Sequence, residues 1–221
     1  MFRAPHPLTA FASPLVPLPR RPLDESCQVR RWYERDLGWP TVPGDPVRLA
    51  VGVRFDVLDV PAKAGHASLR RLGPGSPVAV RGDRMRLLVA PGSAEELPGL
   101  LEWLEWGSLA LDLTAIGAGG SMEAPVPAEA GGVGGVGGLL PRGAFPPGPL
   151  GPVGSQGAAV WLRPPEPGCE VEASLPTLSA LWGTGNAPDL VRLVDTVATH
   201  CHRVRLRRAC TQPPALRTQG Q

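Results

Sequence analysis

Lysine is almost missing from this chain of 221 residues: Lys63 is the only one, and arginine supplies every other long basic side chain. That usage suggests a gene from a high-GC bacterium. The four cysteines, Cys27, Cys169, Cys201 and Cys210, form no Cys-x-x-Cys pair. No secretory signal is legible, because Pro5, Pro7, Pro14, Pro17 and Pro19 interrupt the N-terminal region. A reduced, cytoplasmic setting is therefore expected. No stretch approaches the roughly 20 apolar residues of a membrane span, so no membrane partner is expected. Excess charge is missing too. Twenty-two Lys and Arg stand against 20 Asp and Glu, for a net charge of +2. Bulk charge thus announces no polyanion binder, and any such site must be a local patch.

Glycine and proline are abundant, at 28 each in 221 residues. About a quarter of the chain is near the level at which low-complexity segments appear. Met1–Glu25 reads as a disordered proline-rich arm. Residues 126–157 read as a Gly/Pro-rich insertion. Within it Gly132–Gly137 formally fits a dinucleotide-binding pattern, but it neither follows a strand nor opens a helix.

The centre of the chain is Arg48–Gly65, RLAVGVRFDVLDVPAKAG. Its β-branched and aromatic bulk predicts one buried strand, and Asp56 and Asp59 interrupt it near the C-terminal end. A carboxylate there costs free energy unless it is exposed, hydrogen-bonded or bound to a cation. Capping or turning the chain before the helix that follows Pro61 accounts for both aspartates without any site.

Around this strand the spacing predicts a helix from Ser26 to Leu37 and a short helix over Pro61–Leu72. A hairpin of Val78–Val80 and Met85–Val89 follows, with Arg81, Arg84 and Arg86 at its tip as candidate phosphate contacts. Ser93–Trp106 reads as a helix with a Ser93/Glu96 capping box. Leu109–Ile116 reads as a strand with Asp112 inside it, and Ala158–Arg163 as the last strand. Pro188–Leu206 reads as an amphipathic helix with Asn186 near its cap, ending in the basic Arg203–Arg208. There Arg203, Arg205 and Arg207 are candidate nucleic-acid contacts, although a helix C-terminus favours arginine anyway. The adjacent residues of His200-Cys201-His202 point about 100° apart around a helix and do not close on one ion.

Four stretches, in order, resemble the bifunctional DNA primase/polymerase N-terminal domain. RWYERDLGWPTVPGDP resembles its opening helix and entry, and GVRFDVLDVPAKAGHASLRRLG its first catalytic motif. SPVAVRGDRMRLLVAP resembles the strand pair carrying the family's histidine, and LALDLTAIGAGGSMEAP the third motif. The resemblance covers roughly Ser26 to Arg163. It implies an α/β (α+β) fold, archaeo-eukaryotic-primase-like, with a mixed β-sheet flanked by helices. Residues 164–208 then form an extension with a C-terminal helix, and 209–221 a tail.

Nucleotidyl transfer in that family uses carboxylate-held divalent ions, Mg or Mn. The implied first aspartate falls on Asp59 and the third on Asp112. The second falls on Pro61, the histidine on Met85, and the arginine after the third aspartate on Thr114. Asp56 lies three residues before Asp59, so strand alternation sends it to the other face. Losing a metal ligand and a phosphate contact together removes several kcal/mol of transition-state stabilisation. The expectation is a catalytically degenerate primase/polymerase-like protein with residual nucleotide or DNA binding. An active divergent nucleotidyltransferase and a regulatory protein-interaction module are the alternatives. Nothing in the sequence designates a protein partner or an oligomeric state.

Overall fold

The computed structural model describes residues 25–126, 157–166, 171–178 and 187–211. The expected proline-rich arm, the interior of the Gly/Pro-rich insertion, Asn186 and the end of the tail lie outside the described residues. In chain order come α1 (Glu25–Arg31), continued by a π-helical turn (Trp32–Asp36), then β1 (Thr41–Val42), β2 (Arg48–Ala50) and β3 (Asp56–Pro61). Next are α2 (Ala62–Ser68) with a 3-10 turn (Leu69–Arg71), β4 (Val78–Arg81), β5 (Arg84–Val89) and α3 (Ser93–Trp103). β6 (Thr114–Ile116), β7 (Ser121–Glu123), β8 (Val160–Arg163) and α4 (Leu190–Thr211) complete the fold.

The class is α+β. Five strands form a sheet in the order β6-β3-β5-β4-β8, and β1-β2-β7 form a smaller one. Every ladder is antiparallel. Among the described residues the parallel component expected of a mixed sheet reduces to two isolated bridges, Val126 with Val160 and Thr177 with Asp189. Among the described residues no helix is long and apolar enough to cross a membrane.

The run expected as one strand over Arg48–Val60 is two strands in two sheets. Gly52 makes the break. It has φ +88°, and a Cβ there would lie 2.2 Å from the Ala118 Cα. Its N–H donates to the Phe55 carbonyl at 2.8 Å, closing a turn that carries the chain from β2 to β3. Asp56 therefore opens β3 rather than approaching its end.

β3 lies between β6 and β5 in the larger sheet and is covered on both faces, which explains its apolar run. Leu58 and Val60 face α2 and α4, joining Ala64, Met85, Leu87, Leu193 and Val197 in one core. Phe55 and Val57 face the other layer, with Tyr33, Trp39, Leu49, Leu88 and Met122. The two-residue period of β3 thus feeds two cores. Met85, where the resemblance places a histidine, is fully buried beneath α2. A Cβ on Gly65 of α2 would stand 2.3 Å from the Met85 Sδ and 2.8 Å from its Cβ, so only glycine permits this approach.

The capping box at Ser93 does not form. Gly92, at φ +87°, precedes the helix, and no Ser93 side-chain bond caps it. The cap comes from β3 instead: the Ala94 N–H donates to Asp56 Oδ2 at 2.9 Å. Asp56 is fully buried. That burial raises its pKa, and the N–H groups of Gly92–Ala94 only partly offset it. Asp189 caps α4 by accepting from the Val191 and Arg192 N–H groups at 2.9 and 3.3 Å.

Two outcomes test this packing. Gly65→Ala is expected to cost about 1–3 kcal/mol, because overpacking against Met85 must displace α2; an unchanged urea midpoint would contradict the close approach. Because the folded pKa of Asp56 is raised, its contribution is fully present at acid pH and is lost as pH rises through that value. Asp56→Asn keeps an acceptor for Ala94 and removes the titration. Its stability relative to wild type should therefore rise from about pH 4 towards neutrality, and parallel stability–pH curves would refute this role.

Candidate functional site

The C-terminal end of β3 lies between β5 and β6. In register, Asp59 stands opposite Arg86 and Pro61 opposite Arg84 on β5, while Thr114 of β6 faces Asp59 from the other side. Residues two apart share a strand face, so Arg84 and Arg86 lie on the face that carries Asp59. Arg84 Nε reaches Asp59 Oδ1 at 2.5 Å, and Nη2 reaches the Asp59 carbonyl at 3.0 Å. Its Nη1 reaches Asp112 Oδ1 at 2.5 Å. Arg86 Nε takes Asp59 Oδ2 at 3.2 Å.

The network continues into α4. Arg208 approaches Asp112 Oδ2 at 3.4 Å and Asp83 Oδ2 at 3.8 Å. The Cys201 thiol donates to the Asp112 carbonyl at 3.5 Å. Asp112 itself lies in a bend just before β6, not inside the strand expected over Leu109–Ile116.

Two aspartates 53 residues apart in sequence thus share one guanidinium. Its planar fork suits two carboxylates at once, which an ammonium cannot match. Burial lowers the Arg84 pKa, but the hydrogen bonds and charges of Asp112 and Asp59 outweigh it and the net shift is upward. Asp59 is only 14% exposed, so without these partners it would be a poorly solvated charge.

The divalent ion implied by the resemblance belongs between Asp59 and Asp112, and the residues present do not fit it. Arg84 already supplies a tethered positive charge between the two carboxylates, and Arg86 takes the remaining Asp59 oxygen. Mg requires near-octahedral oxygen coordination, and a guanidinium in that shell would repel it. Pro61 offers no side-chain ligand. Asp56 caps α3 and cannot contribute. Among the described residues no group of three or more His, Cys, Asp or Glu is arranged to hold a metal.

The remaining basic candidates separate into two places. Arg81 is drawn to the far side of the hairpin, where it pairs with Glu123 at 3.2 Å and donates to the Gly157 carbonyl at 3.0 Å. Arg205 donates to the Ala110 carbonyl. By contrast Arg203 and Arg207 stand with Arg70 around His200; burial and then these three charges lower its pKa. Arg71 crosses to α4 and donates to Thr196 Oγ1 at 3.2 Å.

At 100° per residue, Arg192, Thr196, Arg203 and Arg207 fall within about 60° of one another on α4, on the stripe beside α2. Lys63, Arg70, Arg71, Arg192, Arg203 and Arg207 are all exposed. α2 and its 3-10 turn carry no acidic residue, and α4 carries only Asp195. Asp195 is turned away, accepting from Trp106 Nε1 at 3.0 Å. Asp189, just before α4, pairs with Arg192 at 3.3 Å. Lys63, Val204, Arg207 and Arg208 also line a cleft of about 170 Å³.

Arg203 and Arg207 stand out in the sequence, whereas Lys63, Arg70 and Arg71, which share their surface, do not. The available signal was the absence of carboxylates from both helices. Cys201 of the His-Cys-His run turns into the core, where burial pushes its thiol up to about 12 and Asp112 adds to the shift. No protein-family model, curated protein or solved structure matches this chain.

Removing the shared guanidinium separates the two aspartates. Arg84→Ala is expected to cost about 1–3 kcal/mol, from charged hydrogen bonds lost to partly buried carboxylates. Calorimetric titration with Mn should show no saturable site in wild type and a weak one in Arg84→Ala. Tight Mn binding to wild type would overturn the assignment of Arg84 as the resident cation.

Proposed function

We propose that this protein is a primase/polymerase-like domain that binds nucleic acid without catalysing nucleotidyl transfer. The observation that carries the binding half is the α2–α4 face, where six exposed cations come from two packed elements. Neutralising phosphates with such cations releases condensed counterions, and this drives sequence-independent binding.

The non-catalytic half rests on the Asp59–Arg84–Asp112 bridge. Asp59 and Asp112 converge on Arg84. The guanidinium between them supports a structural role for the pair: together with Arg86 and Arg208 it counters both charges and engages the Asp59 oxygens that a metal-bound triphosphate would need. The reading keeps the order of the motifs and discards their chemistry. A cytoplasmic setting accords with Cys27, Cys201 and Cys210 as free thiols.

The test joins binding to catalysis. Labelled oligonucleotide should bind with log K falling by about 4 per decade of salt, as expected for four to five phosphate contacts. Arg70→Glu combined with Arg203→Glu should weaken binding at least about tenfold, equivalent to about 1.4 kcal/mol, and should flatten the salt slope. No primer extension is expected with Mg or Mn. Extension by wild type that Asp59→Ala abolishes would sink the non-catalytic half, and salt-independent or absent binding would sink the other.

A further inference from the structure

The nucleic acid bound by the α2–α4 face is, we infer, a duplex read through its phosphates; this rests on the binding reading above and narrows it to a substrate class. Single-strand binders without sequence preference combine a basic groove with aromatic side chains on which successive bases stack. The basic face has no such aromatics. α2, its 3-10 turn and α4 contain no Phe, Tyr or Trp in their sequences AKAGHAS, LRR and LVRLVDTVATHCHRVRLRRACT.

Among the described residues the aromatic side chains lie elsewhere. Tyr33, Trp39 and Phe55 are buried in the opposite core. Trp106 is held by Asp195. Trp103, which is exposed, belongs to α3.

The shape of the face points the same way. Its cleft, lined by Lys63, Val204, Arg207 and Arg208, measures about 170 Å³. That is below the roughly 300–1,000 Å³ of small-molecule pockets, so it suits a phosphate group rather than a splayed nucleotide. Arg208, itself exposed, pairs with Asp112 at 3.4 Å and Asp83 at 3.8 Å, and exposed pairs of this kind contribute little. The rest of the face is a ridge of two packed helices. From Arg192 to Arg207 it extends about 22 Å along α4 at 1.5 Å per residue. A rigid ridge with cations spread along it meets phosphates held at fixed spacing on a duplex, where charge density and counterion release are greatest.

Fluorescence anisotropy on the full chain tests this with a blunt 20-base-pair duplex and a 20-nucleotide single strand, at two salt concentrations. The duplex should bind at least about tenfold tighter, and changing its sequence should alter affinity by less than about threefold. Tryptophan emission should stay unchanged on binding. Lys63→Glu and Arg203→Glu, checked for folding by circular dichroism, should weaken all duplexes alike. Equal or tighter binding of the single strand, or tryptophan quenching by it, would overturn the duplex assignment while leaving nucleic-acid binding intact. Failure of both ligands to bind would overturn both readings.

Discussion

The contact on which the interior of this fold depends is the guanidinium of Arg84 held between Asp59 and Asp112. It joins the end of β3, the start of β5 and the bend before β6, and Asp112 passes the connection to α4 through Arg208 and Cys201. Asp59 is mostly withdrawn from water, and a carboxylate there needs a positive partner within hydrogen-bond reach. A divalent ion and an arginine answer that need differently. An ion brings open coordination positions that substrate oxygens can enter, whereas a guanidinium brings a closed fork whose donors are already engaged. With Arg84 in place, the two carboxylates are tied to one another across β3, β5 and the bend before β6.

The same side chains are arranged differently on another face of α4. Arg84 and Arg86 are internal counter-ions, with carboxylates close on the same sheet face. Arg70, Arg203 and Arg207 gather around His200, on elements where carboxylates are scarce. A near-neutral net charge conceals this division. One set of arginines lies against carboxylates of the sheet and another set is collected on one surface, so the surface potential is local and the total is small.

Hydrophobic patterning made much of the fold legible. The β4–β5 hairpin, α3, β8 and the inward residues of α4 stand where the spacing of apolar residues placed them. Positions governed by contacts distant in sequence were not legible. Gly52 splits an apparently continuous strand because its backbone lies against Ala118, and only glycine tolerates both the approach and the positive φ. Ser93 looked like a cap, yet Asp56, 38 residues upstream of Ala94, supplies it. The site divides in the same way: Asp59 and Asp112 were visible as misplaced carboxylates in apolar runs, while the role of Arg84 depended on strand register.

What the sequence determined by itself was the set of elements, the buried faces and the identity of the two unusual aspartates, because periodicity and desolvation act through near neighbours along the chain. Tertiary structure alone decided that Arg84 bridges them, that Met85 lies under Gly65, and that Arg70 joins Arg203 and Arg207. Each of these is a meeting of groups from separate elements. Charge and hydrogen bonding act over a few ångströms of space, and chain order does not say which groups will come within that distance.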